Sequence, residues 1–216
     1  ELYHSDLQLI HPIKSRDINE LKEIQARDFN LKCISFHAAS CFAIPSLEEG
    51  IFTSGQKLAS YEEMVENSQR NADIIRDIFG TEIKILVENN NFYPTPAYEH
   101  IANPRFITEI VKRSRIDFLY DIAHAKISAH NMEIPYEDYK SLLPLDNIYQ
   151  VHICKYGIDK NNLAFDAHEV PNEIEFAEVQ KLSENGKLKY LTIEYYESGE
   201  ILIDSIKKLK TYVRIS

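Results

Sequence analysis

Eight side chains able to bind a divalent cation stand at or just beyond the ends of short apolar runs: His37, Glu88, Asp121, His124, His152, Asp166, His168 and Glu194. Residues 31–37 end in His37, and Ile83-Lys-Ile-Leu-Val runs into Glu88, followed by Asn89, Asn90 and Asn91. Residues 116–121 end in Asp121, with His124 three positions on. Residues 147–153 carry His152, Phe165-Asp-Ala-His-Glu169 carries Asp166 and His168, and 189–194 end in Glu194. Mixed imidazole and carboxylate donors suit hard or borderline divalent ions. Asp166 and His168, as alternate residues of an extended segment, face the same way. Any one of these residues alone reads as structural. Glu88, Asp121 and Glu194 gathered without a cation, however, repel one another in a low dielectric or are forced to protonate. The ensemble therefore predicts a metal site, and its donors exceed the needs of one ion, so two or three ions are expected. Glu88, Glu194 and His124 are also the candidate catalytic groups.

Those ends matter because of the elements that carry them. Segments 2–5, 31–37, 83–88, 116–121, 147–153 and 189–194 are rich in Ile, Leu, Val, Phe and Tyr and read as strands buried on both faces. Between them lie helical patterns. Ser60-Tyr-Glu-Glu63 is a capping box opening a helix to about Phe79, stopped by Gly80. Asn103-Pro104 supplies a cap and an N1 proline for Arg105–Arg113. Pro135 opens a short helix to about Leu142, Asn172 precedes one ending near Gly186, and a last helix fills about 200–210. Residues 41–58 show no clear period and read as a long loop over the mouth of a site. Strands alternating with helices imply parallel pairing through right-handed crossovers. A doubly wound open sheet competes, but no Gly-rich phosphate loop follows any strand. Polar residues at every strand end favour a (β/α)8 TIM barrel, whose chemistry sits on that rim. Six strands are visible where closure needs eight, and the chain opens without Met on strand-like Glu1-Leu-Tyr-His-Ser. The expectation is one barrel domain over 1–216 lacking its first one or two β/α units.

Other polar residues divide. His4, in Tyr3-His4-Ser5-Asp6, is a further candidate ligand from an earlier strand. His130, in Ser128-Ala-His-Asn131, is a candidate ligand or a surface histidine, and Lys155 a candidate contact for an anionic substrate or simply a solvated lysine. His11 and His100 read as structural. Cys33 and Cys154 read as packing in the barrel wall, since nothing nearby in sequence argues for an activated thiol.

Composition excludes several classes. The 216 residues are 44% hydrophobic and 27% charged, as in an ordinary globular domain. No apolar run approaches the roughly 18 residues of a membrane helix. Three scattered cysteines, with no CxxC pair, argue against a disulfide framework or a thiolate zinc site and suit a reducing cytoplasm. With 34 acidic against 24 basic residues the net charge is −10, which repels phosphate backbones and counts against a nucleic-acid partner. A small-molecule or peptide substrate is the expected partner.

The motifs resemble the xylose isomerase-like barrel superfamily, which includes endonuclease IV, sugar isomerases and epimerases, and multinuclear non-haem iron-dependent oxidative enzymes. The order His37, Glu88, Asp121-x-x-His124, His152, Asp166-x-His168, Glu194 looks like the trinuclear ligand order of endonuclease IV. The middle of the chain is more similar to the iron oxidative family, in Tyr120-Asp-Ile-Ala-His-Ala-Lys-Ile-Ser-Ala-His-Asn131, Leu143-Pro-Leu-Asp-Asn-Ile-Tyr-Gln-Val-His152, Asp166-Ala-His168 and Glu88-Asn89. The resemblance covers about 31–200. Two stretches depart from it: Ile153-Cys-Lys-Tyr-Gly157 stands where that family has Ala-Gly-His, and Glu194-Tyr-Tyr where it has Glu-Arg-Asp.

The resemblance implies iron, with zinc or manganese as alternatives, and O₂-dependent oxidation of a small or peptide substrate. Two other functions compete. Sugar isomerisation or epimerisation needs one ion, held by Glu88, Asp121, His152 and Glu194, and leaves Asp166 and His168 without a task. Zinc-dependent phosphodiester cleavage fits the ligand order but not the acidic balance. A barrel kept only as a scaffold would bind no metal.

Overall fold

The computed structural model describes residues 1–27, 30–184, 186 and 188–213. In chain order these form β1 (Leu2–Gln8), α1 (Ser15–Ala26), β2 (Cys33–His37), β3 (Phe42–Glu48), β4 (Ile51–Leu58), α2 (Tyr61–Phe79), β5 (Lys84–Glu88), α3 (Pro104–Ser114), β6 (Asp117–Asp121) and α4 (Ile122–Asn131). There follow α5 (Tyr136–Ser141), β7 (Ile148–Ile153), β8 (Lys155–Ile158), β9 (Ala164–Glu169), α6 (Glu173–Glu184), β10 (Tyr190–Ile193) and α7 (Gly199–Tyr212).

The six runs expected as strands are β1, β2, β5, β6, β7 and β10, and they form one curled sheet in that order with every pairing parallel. The fold is that of a TIM barrel carried by six of its strands among the described residues. Register brings the carboxyl ends level: Asp121 lies opposite His152, Thr192 opposite His152 on the other side, and Gln8 opposite His37. Alternation then sorts the side chains. Ile34, Phe36, Val87, Phe118, Tyr120 and Val151 turn outward and are fully buried against helices that contribute Met64, Val65, Phe106 and Ile110. Cys33, Leu86 and Leu119 form a smaller cluster of their own. Both faces are covered, which is why the strands read as unbroken apolar runs.

The helix signals hold at α2, where Ser60 and Glu63 cap each other, and at α3, where Asn103 accepts from the Arg105 N–H at 2.9 Å. The expected end of α6 near Gly186 crosses Asn185, which lies outside the described residues. Three elements depart from the expectations. Residues 15–26 form α1, unmarked in sequence because Lys14 stands at its cap position in place of Ser, Thr, Asn or Asp. Residues 122–131 form α4, for which no helix was expected, so Asp121-x-x-His124 is a helix entry. Residues 41–58 are not a loop but the hairpin β3–β4, turned through Glu49 (φ 49°) and Gly50 (φ 82°), the paired left-handed conformation of a tight hairpin turn. Its alternation was masked by Pro45 and by a register shift between Pro45 and Leu47. Gly55 is required there: a Cβ would sit 2.4 Å from the Ile44 carbonyl oxygen. Gly55→Ala is expected to cost the protein about 1–3 kcal/mol, the usual range for overpacking, measured as a lowered denaturation midpoint at unchanged slope. No change in midpoint would mean that β3 and β4 do not pair this closely.

Candidate metal centre

Both hairpins leave from the rim where the level strand ends lie: β3–β4 follows β2, and β8–β9 follows β7. Between them the side chains of four carboxylates and five imidazoles make a continuous network. Glu88 is its hub. Its Oε2 lies 3.2 Å from His37 Nδ1 and 3.4 Å from His4 Nε2, and its Oε1 lies 3.2 Å from His152 Nδ1. His152 Nδ1 also faces Glu194 Oε1 at 3.0 Å. Glu194 Oε2 reaches His168 Nε2 at 3.7 Å, and Asp166 Oδ2 lies 3.2 Å from both His168 Nε2 and His124 Nε2. His124 Nε2 is 4.0 Å from Asp121 Oδ2, which completes the circuit.

All eight expected positions are thus brought together, and His4 joins them. His130 does not: its Nε2 bonds the Asn162 carbonyl at 2.9 Å on the far side of α4. Lys155 does not either, being paired with Glu169 at 3.0 Å on the exposed β8–β9 hairpin. His11 bonds the Ser40 carbonyl and His100 packs against Tyr61, both as structural residues.

The donors fit a cation by two observations. Among the described residues Asp121 Oδ2 is fully buried and makes no hydrogen bond, its ion-pair contact being His124 Nε2 at 4.0 Å, while Glu88 Oε2 and His152 Nδ1, also buried, have only the imidazole–carboxylate contacts just given. Orphaned buried polar atoms cost about 1–3 kcal/mol each, more when charged, so they need another partner. Spacing agrees: ligand distances of about 2.0–2.2 Å place neighbouring N and O donors about 3.0–3.6 Å apart around one ion. Two triads have their ligand atoms mutually within 4.8 Å, His4/His37/Glu88 and Glu88/Asp121/His152, sharing Glu88.

Residues 10–185 match the family model described as "RiPP precursor modification enzyme MbnB/TglH/ChrH". The chain belongs to this family. By that description the MbnB/TglH/ChrH members are enzymes, which agrees with the iron oxidative resemblance read from the motifs. Among curated relatives, a UPF0276 protein of Caulobacter sp. (strain K31) is 30% identical over 104 residues, 47% of this chain and 37% of that protein. UPF0276 protein VV3194 of Vibrio vulnificus (strain YJ016) is 24% identical over 163 residues, 72% of this chain and 55% of that protein. The chain therefore spans about half or less of these relatives' lengths. The fold is also similar to the crystal structure of 3-keto-D-glucoside 4-epimerase YcjR from E. coli, with TM-score 0.58 at 15% identity, covering 97% of this chain and 78% of that one.

In this MbnB/TglH/ChrH chain, neighbouring groups orient the ring nitrogens. His124 Nδ1 donates to the Asn89 carbonyl at 2.9 Å, which turns Nε2 toward Asp121 and Asp166. Asn89 also clasps β5 to β6, accepting from the Asp121 N–H and donating to the Asp121 carbonyl, each at 2.9 Å. Asp121 Oδ1 caps α4 by accepting from the His124 N–H at 2.7 Å, so only Oδ2 is left over. His4 Nδ1 meets Ser35 Oγ at 2.6 Å, which turns Nε2 inward. Gln150 lies 2.9 Å from His152 Nε2 and 3.2 Å from Thr192 Oγ1, which sends Nδ1 toward the carboxylates. The Gln150 atom in contact is the amide nitrogen, with its oxygen taken by the Cys33 thiol, so the side chain holds the ring in place from the side away from the carboxylates. Gln150→Leu is expected to weaken ion binding about 10–100-fold, measured by competition with a chelating dye. Unchanged affinity would remove Gln150 from the support of the centre.

The charge balance follows. Burial pushes Asp121 up to about 7 against the pull of the His124 charge. Burial opposes the charged form of His152, yet contacts with Glu194 and Glu88 outweigh it and hold the imidazole up at about 10. Burial likewise raises Glu88, but His152 and His37 more than reverse this and leave its carboxyl well below the ordinary range. Without an ion, imidazolium protons do the neutralising. Cys154, read in sequence as wall, is instead at the site: its thiol donates to Asp166 Oδ1 at 3.5 Å. Nothing in sequence marked it beyond lying two residues after His152.

Proposed function

We propose that this chain forms the metal-binding core of an iron-dependent oxidative enzyme that acts on a precursor peptide. The observation that carries the reading is the meeting of four carboxylates and five imidazoles in one network, within which two triads sharing Glu88 have ligand atoms within 4.8 Å of one another. Glu88 bridges the positions held by His4 and His37 on one side and by Asp121 and His152 on the other. His124, Asp166 and His168, joined to His152 through Glu194, would offer a third position once their donors draw in around an ion. When bound, iron would supply O₂-dependent oxidation of the substrate. Glu88, enclosed by three imidazoles, would hold the cation between the two triads, and with Glu194 and His124, the less enclosed pair, it is a candidate to hold and move protons. The family's description and the two rim hairpins support a peptide as substrate. Protein prepared without oxygen should carry more than one iron per chain, by elemental analysis, and should consume O₂ when given a precursor peptide. Zinc or manganese alone, with no O₂ uptake, would count against it.

A second reading is single-ion sugar epimerisation. It is favoured by the Glu88/Asp121/His152 triad, which with Glu194 makes a complete one-ion set. It leaves Asp166, His124 and His168 without a task. Solvent exchange of a carbon-bound proton from a panel of ketoses would select it.

A further inference from the structure

Hairpin β8–β9 has two outer edges, and only one of them is closed. The Asp159 N–H donates to the Leu163 carbonyl at 2.9 Å, and the register then sets Ile158 opposite Ala164 and Gly157 opposite Phe165. In an antiparallel ladder, hydrogen-bonded pairs alternate with pairs whose N–H and C=O groups point away from each other. Asp159 and Gly157 therefore face β9, while Ile158 and Ala164 turn their main-chain groups outward. On β9 these groups are taken: Asn131 of α4 accepts from the Ala164 N–H at 2.8 Å and donates to the Ala164 carbonyl at 3.0 Å. On β8 the outward groups of Ile158, and of Tyr156 by the same alternation, meet no partner among the described residues.

The open edge borders a groove of about 700 Å³ between α4 and the start of α6. Lys155, Tyr156, Gly157 and Ile158 all line it, together with Ile134 and Ile174. Successive strand residues point to opposite faces, so a groove that touches all four meets β8 along its edge. Ile134, Ile158 and Ile174 are 40%, 52% and 68% exposed, which leaves apolar surface beside unpaired main-chain groups. An extended peptide answers both, by its backbone and by its alternate side chains. Across the hairpin, the register shift between Lys155 and Gly157 makes Asp166, Ala167 and His168 the extra residues of β9, and that segment enters the metal centre.

We propose that the open edge of β8 takes an extended segment of the precursor peptide as an added strand, holding the substrate on the hairpin that carries Asp166 and His168. This rests on the peptide reading above. A second copy of the chain is the poorer occupant, because two chains of net charge −10 repel each other.

The probe is a blocked, fluorescein-labelled heptapeptide of alternating valine and threonine, beside a twin whose amides are all N-methylated. Anisotropy titration of the full chain is expected to show saturable binding, at least about tenfold weaker for the twin and for Ile158→Pro, since each loses main-chain hydrogen bonds. Proline is tolerated at an edge residue whose N–H faces outward, so β8 keeps its bonds to β9. Ile158→Val should bind as the wild type does. The twin gives an answer that does not depend on a variant folding. No binding of the plain peptide, or equal binding of its twin, overturns the strand-adding edge and leaves the metal centre standing. A dimer that Ile158→Pro dissociates, by sedimentation, overturns the peptide in favour of a second copy. Peptide held at this edge by a chain that binds no iron and takes up no O₂ keeps the edge and sinks the oxidative reading instead.

Discussion

Glu88→Gln should empty both triads at once and lower bound metal to that of the third position alone, by elemental analysis of the purified variant. Glutamine keeps the volume and the hydrogen-bonding length of Glu88, so a packing defect does not explain the loss. What changes is charge. His4, His37 and His152 all face this one carboxylate, and among the described residues no other carboxylate pairs with His4 or His37. An amide is a poor ligand for a borderline cation and cannot bridge two of them as a carboxylate does. The metal-free protein should also suffer, because removing one partner of a buried ion pair typically costs about 3–5 kcal/mol. Glu88 is 2% exposed, so solvent screening offers little relief. A variant that keeps full metal content would sink the placement of Glu88 at the hub.

The second large effect is the pH dependence of ion binding. At neutral pH the ion must displace protons from His152, held up at about 10, and in part from Asp121, raised to about 7. Each displaced proton makes apparent affinity rise tenfold per pH unit below the group's value, or about 1.4 kcal/mol. The metal-free protein moves the opposite way. A raised folded value gives stability that is full below the unfolded value and is lost as pH climbs through the folded one. For Asp121 that window runs from its ordinary 3.8 to about 7, and for His152 from 6.5 to about 10. The difference in melting temperature between metal-loaded and metal-free protein should therefore widen from pH 6 to pH 9. Calorimetric titration in buffers of unequal ionisation enthalpy should register proton release on binding. A constant difference, with no proton released, would mean that His152 is not displaced from its proton and is no ligand.

Much of this architecture was legible because strand and site use one pattern. An apolar run buried on both faces and ending in a ligand marks the strand and its chemistry together, as Ile83-Lys-Ile-Leu-Val-Glu88 does. The eight positions were found through strand ends, and His4 through the same logic at β1. What stayed hidden lacks a period or depends on the third dimension. Pro45 and a register shift disguise β3–β4. Helix α4 is short, with histidines, a serine and an asparagine among its residues, and its cap, Asp121, had already been read as a ligand. His130 and Lys155 carry the right chemistry near the right residues, but α4 turns one away and β8 carries the other outward. Cys154 follows a strand, where alternation no longer tells which way a side chain points.

Asp121 divides its two oxygens between a helix and a pocket, and this makes α4 a ruler. The capping oxygen ties the first turn of α4 to the strand end, so His124 Nε2 stands at a set reach from the remaining oxygen. A glutamate there would add a methylene and lengthen the reach to both at once. Any transplant of this centre into another scaffold must carry the strand end, its aspartate and the opening turn of the helix as one piece.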